Sequence, residues 1–293
     1  NDKDMNLLFI NNGRGRFTES ALFMGVGYNG NGLAEAGMGV DLGDIDRDGW
    51  LDIYVTNYSG ETNTLYLNQG SGIFSDATNE IGLGKPSIHF LAFGTKLVDL
   101  DLDGWLDIYV ANGHVIDNID LFNKDYRHAQ YNQVYLNQKN GSFSDITTMI
   151  GGDLLYKAVS RGSAFGDIDN DGDIDIMVSN NNGKARLLIN EGDHKNNWIG
   201  FELEGRTCNK QAIGSKIIIS TDSGDQVAWV NPAGSYLTSN DTRVVFGINS
   251  DRLVRSISID WPGSEKETFK DLKPNHYYKI IQGVSISTIT SGM

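Results

Sequence analysis

Residues 44–52 read Asp-Ile-Asp-Arg-Asp-Gly-Trp-Leu-Asp, and the same arrangement of aspartates and glycine returns at 99–107 and at 167–175. Each copy fits D-x-D-x-D-G-x-x-D and runs straight into a short apolar stretch, such as the one at 53–55. Alternate aspartates can turn three carboxylates toward one point, and the glycine at position 6 permits a sharp turn around that point. The pattern predicts three calcium loops, each followed by a strand.

Calcium takes about six to eight oxygen ligands. We expect the side chains at positions 1, 3, 5 and 9 and the backbone carbonyl at position 7 to supply them. The predicted ligands are Asp44, Asp46, Asp48, Trp50 and Asp52; Asp99, Asp101, Asp103, Trp105 and Asp107; and Asp167, Asp169, Asp171, Asp173 and Asp175. Carboxylates packed this close would repel one another without a cation. The predicted cofactor is therefore Ca²⁺, about three ions per chain.

Two other interpretations of the loops are possible. The EF-hand opens in the same way, but it needs a bidentate glutamate at position 12 and a helix on each side. Position 12 here is Val55, Val110 or Val178, and the flanking segments have strand length without a helical period. An ion-free Asp-Gly turn would explain a single copy. Three copies, each joined to a strand, favour metal loops.

The composition of the 293-residue chain fits an all-β protein. It contains 35 glycines and only 4 prolines, which favours many strands joined by tight turns. A net charge of −14 argues against nucleic acid or an anionic membrane as a partner. No apolar run approaches ~18 residues, so no membrane span is predicted. Loops of this kind that bind weakly fill where calcium is near millimolar, which predicts an extracellular, cell-surface or periplasmic protein.

A repeated unit surrounds each loop. A second motif, Leu-Tyr-Leu-Asn followed by a glycine-rich hairpin, occupies 65–76 and returns at 134–145, with related copies at 8–19 and 187–192. An Asn-x-Gly stretch between apolar runs is a hairpin signal. Each unit then has strand, loop, strand, strand, hairpin and strand, which predicts a four-stranded propeller blade. An insertion near 114–131 is expected on one face of the propeller, often the binding face.

The loop, the strand after it and the Asn-x-Gly-x-Gly-x-Phe hairpin resemble the FG-GAP or VCBS repeats of integrin α-subunit propellers over about residues 6–195. The resemblance implies calcium ligands at positions 1, 3, 5, 7 and 9 and a ring of roughly seven blades. Domain 1–195 is therefore expected to hold a half blade and three calcium-loop blades, as a partial propeller or part of such a ring. The rings of Trp50 and Trp105 are expected to pack between blades.

A different all-β pattern begins after residue 195. Asn197-Trp198, Ile213-Gly214-Ser215 and Trp261-Pro262-Gly263 resemble the ASPIC/UnbV domain, although Cys208-Asn209-Lys210 departs mildly from the Ser-Asn-Arg that is commoner there. The resemblance predicts a β-sandwich-like domain at 196–284, and the order of domains is similar to that of the cartilage acidic protein family and its bacterial relatives. The polar residues 285–293 are expected to form a flexible tail.

Function is predicted from these features together. We expect a calcium-stabilised adhesion or interaction module with a protein or glycan partner. One alternative is a self-assembling extracellular subunit, as a homo-oligomer or in association with missing blades. The other is a natural-product pathway enzyme of UnbV type. The five histidines show no H-x-x-x-H spacing, and no G-x-S-x-G motif is present. No catalytic residues are therefore predicted, and the non-enzymatic interpretations are favoured.

Overall fold

The computed structural model describes residues 2–192 and 195–289. His194 and the end of the predicted tail, 290–293, lie outside these ranges. Within the described chain, helical structure is confined to short turns. These are the helices Ala21–Met24 (α1), Gly84–Ser87 (α2) and Thr147–Ile150 (α3) and the 3-10 turns Ile119–Leu121 and Gly152–Leu155. The rest of the regular structure is strand, which confirms the all-β prediction.

The first 195 residues form four successive antiparallel sheets in the part described. Their strands are Phe9–Asn11 (β1) and Phe17–Glu19 (β2); Val40–Gly43 (β3), Asp52–Val55 (β4), Thr64–Asn68 (β5) and Phe74–Asp76 (β6); Ala92–Val98 (β7), Asp107–Asn112 (β8), Gln133–Asn137 (β9) and Phe143–Asp145 (β10); and Ser160–Gly166 (β11), Asp175–Asn180 (β12) and Arg186–Leu188 (β13). Strands neighbouring in sequence are antiparallel neighbours in each sheet, even where the insertion separates β8 from β9.

The sheets are arranged as propeller blades. Strand β3 packs beside β7, and β7 packs beside β11, so the first strands of successive sheets adjoin one another. Such radial repetition of small sheets is a β-propeller. The described residues before 196 form four sheets rather than seven, with the two-stranded sheet at the predicted leading pair. The propeller prediction is confirmed, and the blade count of this chain differs from seven.

The hydrophobic core lies between the blades. Strand β8 shows how one strand serves two interfaces, because its side chains alternate between the two faces of the sheet. Ile108 and Val110 pack with Tyr54 and other residues of the preceding blade. Tyr109 packs with Phe165 of the following blade. The three loop-bearing blades are thereby joined through two apolar layers.

Glycines allow the first strands to approach closely. A Cβ atom on Gly39 would lie 2.0 Å from the carbonyl oxygen of Phe93. A Cβ atom on Gly94 would lie 2.7 Å from the backbone nitrogen of Ser163. Both obstructions are backbone atoms of the next blade, which cannot rotate away as a side chain can. The spacing of the blades at the centre therefore depends on glycine at these positions.

The C-terminal domain is a sandwich of two four-stranded sheets. The strands are Trp198–Glu204 (β14), Lys216–Thr221 (β15), Gly224–Trp229 (β16), Val244–Gly247 (β17), Val254–Asp260 (β18), Glu267–Leu272 (β19), Tyr277–Ile281 (β20) and Ser285–Ile289 (β21). The sheet orders are β17-β14-β20-β21 and β16-β15-β18-β19. Phe201 and Ile280 of one sheet share a core with Ile217 and Ile257 of the other.

Residues 285–289, where a flexible tail is predicted, form strand β21. Strand β21 pairs antiparallel with β20, with Ser285 opposite Ile281 and Ile289 opposite Tyr277. The half-buried side chain of Ile286 packs against the sandwich core. A short turn lets the chain fold back on β20, whose edge offers unpaired backbone groups, so polar composition alone did not prevent strand formation.

One segment of the sandwich runs along the first strands of the blades. We name residues 231–241, between β16 and β17, the axial segment. Ser235 forms an antiparallel bridge with Val40 at the start of β3. The hydroxyl of Thr238 donates to the carbonyl oxygen of Ser163 in β11 at 3.0 Å. The segment therefore ties the sandwich to the first strands of two different blades.

Candidate metal centres

Carboxylates cluster in all three predicted calcium loops. Each loop closes a hairpin: Gly43 of β3 pairs with Asp52 of β4, and the other loops repeat this register. Within each cluster one carboxylate oxygen from each aspartate lies within 4.8 Å of those of the other two. The clusters are Asp44, Asp46 and Asp48; Asp99, Asp101 and Asp107; and Asp167, Asp169 and Asp175. The aspartates at positions 1 and 3 thus belong to every cluster. The third member is the aspartate at position 5 in the first loop and at position 9 in the other two.

The aspartate at position 1 organises the turn. Asp44 accepts hydrogen bonds from the backbone N–H groups of Asp48 and Gly49, both at 3.0 Å. The corresponding bonds recur in the second and third loops. Glycine at position 6 has φ of 91°, 88° and 101° in the three loops, a left-handed conformation that costs glycine little. The sequence repeat therefore produces one repeated backbone geometry.

The aspartate at position 9 links its loop to the hairpin motif. Asp52 accepts from the backbone N–H of Ile45 at 2.9 Å and from that of Asn68 at 2.8 Å. Asn137 and Asn190 make the same bond to the equivalent aspartates. These asparagines belong to the repeated Leu-Tyr-Leu-Asn motif or its partial copy. In the sequence the motif indicates a hairpin, and nothing in it indicates this second role.

The same asparagines also connect neighbouring loops. The side-chain amide of Asn137 donates to the carbonyl oxygen of Ile45 in the preceding loop at 3.1 Å. The amide of Asn190 donates likewise to Leu100 at 2.9 Å. Hydrogen bonds therefore connect the three loops in series, and the loops are not isolated turns.

The remaining predicted side-chain ligands lie outside the clusters. Asp103 forms an ion pair with Lys139 at 2.6 Å, which draws one of its oxygens toward an ammonium group. Asp52 lies beside its loop, and Asp171 accepts from the backbone N–H of Asp173 at 3.2 Å. Asp173 is buried, and its burial together with Asp171 raises its pKa to about 8. Coordination by these residues stays a prediction.

Burial and crowding disfavour the ionised form of three aspartates in the first two loops, Asp44, Asp52 and Asp107. Burial raises the pKa of Asp44 to about 6, and the carboxylates of Asp48 and Asp46 add to the increase. Burial raises the pKa of Asp52 to about 7 and that of Asp107 to about 8, again with contributions from neighbouring aspartates. A bound cation would reverse this balance by favouring the ionised form.

The two tryptophans at position 7 do not pack alike. The centre of the Trp105 ring lies 5.1 Å from the guanidinium group of Arg47 in the preceding loop. Trp50 is half exposed, with its indole near Gly70 of its own blade. The expected packing between blades is therefore wrong for Trp50, because no loop precedes it to cover the ring in the described chain. Coordination by their carbonyl oxygens stays a prediction.

The chemistry of the clusters fits a hard divalent cation. All side-chain atoms that could bind a metal in the clusters are carboxylate oxygens. Calcium prefers carboxylate and carbonyl oxygens in a flexible geometry. Like charges this close raise one another's energy, and a bound cation would relieve the repulsion. Strands flank each loop, whereas an EF-hand loop lies between two helices. The clusters are therefore compatible with calcium.

No helix among the described residues is long and apolar enough to cross a membrane.

Comparison with known proteins matches both parts of the chain. The FG-GAP-like repeat model matches residues 1–55, 44–110 and 99–178, and the ASPIC and UnbV model matches residues 205–287. Cartilage acidic protein 1 of Mus musculus and that of Homo sapiens are each 27% identical to the chain over 274 residues, or 89% of its length. The chain spans 38% of the length of these relatives. The chain belongs to the family of proteins that join FG-GAP-like repeats to an ASPIC and UnbV domain.

Proposed function

We propose that this chain is a secreted or cell-surface interaction module in which bound calcium is structural. The observation that carries the proposal is the recurrence of one carboxylate cluster in three consecutive loops. Their hydrogen bonds to neighbouring loops would spread the effect of each ion along the blades. The proposed ligands are the aspartates at positions 1, 3, 5 and 9 and the carbonyl at position 7 of each loop.

An extracellular location is part of the proposal. Weak calcium loops fill where calcium is near millimolar. The relatives are named cartilage acidic protein 1, and this chain is acidic as well, with a net charge of −14. That charge disfavours polyanionic partners such as sulfated glycans. We therefore propose a protein partner rather than a strongly acidic glycan.

The insertion after β8 is the proposed binding surface. Strand β8 starts at the second loop and ends at Asn112, so the insertion lies at the end of the blade opposite the metal loops. Leu121 is 70% exposed there and Phe122 is 77% exposed. Neighbouring large apolar side chains that face solvent are typical of protein interaction sites.

The binding experiment uses the intact chain immobilised on a surface, with extracellular-matrix proteins and heparin passed over it separately. We expect matrix protein to bind in millimolar calcium, to be released by chelator, and heparin not to bind. The double variant Leu121→Ser, Phe122→Ser should bind at least tenfold less, because burying both side chains contributes several kcal/mol. The control is Val284→Ser, which replaces a residue 58% exposed on the sandwich. Unchanged binding by the double variant would reject the insertion as the site.

Self-assembly is the second candidate function. Phe9, Phe17 and Phe23 of the leading sheet and its helix are 56%, 61% and 88% exposed. A neighbouring copy could cover these rings. Light scattering at increasing concentration distinguishes this candidate, since a self-assembling subunit gains mass and an interaction module does not.

A further inference from the structure

The metal loops have a second set of contacts, which they make with the C-terminal sandwich. In each loop the residue at position 4 reaches that domain. This residue is Arg47, Leu102 or Asn170, and its φ is 62°, 60° or 64°. A left-handed backbone is unfavourable for most non-glycine residues, so the surrounding structure must maintain it at all three positions.

In the first loop the contact is polar. The guanidinium group of Arg47 donates to the carbonyl oxygen of Asp225, in β16, at 2.9 Å. The same group lies over the ring of Trp105 in the second loop. Arg47 therefore joins two metal loops and one sandwich strand.

In the second loop the contact is apolar. Leu102 is 1% exposed and forms a small core with Trp198 and Tyr277 of the sandwich. Its carbonyl oxygen accepts a hydrogen bond from the backbone N–H of Asn249, in the turn after β17, at 3.1 Å. Leu100, by contrast, packs into the core between the second and third loop-bearing blades. The apolar contact with the sandwich is therefore made by position 4 of this loop.

In the third loop the contacts reach a proposed metal ligand directly. The hydroxyl of Tyr277 donates to a carboxylate oxygen of Asp167, at position 1, at 2.6 Å. Arg243 donates to the side-chain oxygen of Asn170 at 2.6 Å and to the carbonyl oxygen of Asp167. Trp198 lies against the glycine at position 6, where a Cβ atom would meet its ring. The sandwich thus contacts positions 1, 4 and 6 of this loop.

These contacts connect metal binding to domain position. Position 4 lies between two proposed ligands, at positions 3 and 5, so its backbone is held when both are drawn toward one ion. Without a cation the carboxylates repel one another, and one of the forces that keep a left-handed residue at the tip of the loop is lost. The side chain at position 4 would then lose one support for its place against the sandwich.

From this arrangement we infer that calcium in the three loops holds the C-terminal sandwich docked on the propeller, with position 4 of each loop as the contact that responds to the ion. The inference rests on the proposed calcium sites. Because linkage is reciprocal, docking also strengthens calcium binding.

The test measures the distance between the two domains in the intact chain. Spin labels are placed on the native Cys208 of the sandwich and on Ser71→Cys, an exposed hairpin residue of the propeller. Double electron–electron resonance is expected to give one narrow distance distribution in millimolar calcium and a broad one in chelator. Calorimetry on the same samples counts the bound calcium. Bound calcium with identical distributions in both conditions would overturn the inference and leave the calcium sites standing, whereas no calcium binding would remove both.

A variant separates undocking from unfolding of the loops. Leu102→Asn introduces the residue that the third loop already carries at position 4, so the loop geometry tolerates it, but the apolar contact with Trp198 and Tyr277 is lost. In saturating calcium we expect this variant to bind the same number of ions, with an apparent affinity at least about fivefold weaker, and to show a broad distribution. The control is Leu33→Asn, at a leucine 61% exposed outside the interface. A narrow distribution for Leu102→Asn would overturn the inference.

Discussion

Chelation of calcium is expected to lower the melting temperature of this chain by about 20 °C. At a free calcium concentration one hundred times the dissociation constant, each site adds about 2.7 kcal/mol to the free energy of unfolding. Three sites would add about 8 kcal/mol, which is comparable with the whole stability of a typical domain, about 5–15 kcal/mol. Thermal unfolding followed by circular dichroism in millimolar calcium and in chelator measures the difference.

A variant in one loop tests whether the stabilisation by calcium comes from the carboxylate clusters. Asp48→Ala removes one member of the first cluster and should abolish about a third of the calcium-dependent increase in melting temperature. Asp117→Ala removes an exposed aspartate of the insertion and serves as the control. If the wild-type melting curves coincide in calcium and chelator, the loops do not stabilise the fold through calcium.

Calcium binding is expected to weaken steeply as the pH falls. Burial and neighbouring aspartates raise the pKa of Asp107 to about 8 and that of Asp52 to about 7 in the metal-free loops. Calcium binds the ionised form, so below these values it must displace a proton. Between pH 8 and pH 6 the apparent dissociation constant should rise about 50-fold for the second loop and roughly tenfold for the first. Calorimetric titration at several pH values measures this change.

The metal-free chain should respond to pH in the opposite direction. A carboxyl group whose pKa is higher in the folded than in the unfolded state holds an extra proton when folded, so stability falls as pH rises from about 4 toward 8. Chelated protein is therefore expected to melt higher at pH 5.5 than at pH 8, while the stabilisation by calcium grows over the same interval. A calcium effect that is independent of pH would contradict the coupling of Asp52 and Asp107 to the ion.

The blades could be predicted from the sequence because their determinants are local. The D-x-D-x-D-G-x-x-D spacing places each loop in a hairpin, and the pairing of Gly43 with Asp52 follows from the strands on either side. The apolar runs after the loops alternate between two interfaces, as Ile108 and Tyr109 do. Each of these features depends on residues close together in the chain. The sequence repeat is therefore sufficient to predict the blades.

What could not be predicted depends on contacts between distant residues. The Asn137 amide bonds a loop carbonyl of the preceding blade, and the hairpin motif alone does not identify that partner. The axial segment reads as an ordinary connection between strands until its bonds to β3 and β11 are seen. Lys139 and Asp103 are also distant in the sequence, and they form an ion pair in the structure. Strand β21 forms because β20 offers an edge, which polar composition does not reveal.

The most direct test of the account is the number of calcium ions bound per chain. Equilibrium dialysis followed by elemental analysis should find three ions on the intact chain at neutral pH and two on Asp48→Ala. Asp117→Ala should retain three. A count of zero, or an unchanged count for Asp48→Ala, would contradict the claim that the repeated aspartate loops are the calcium sites of this protein.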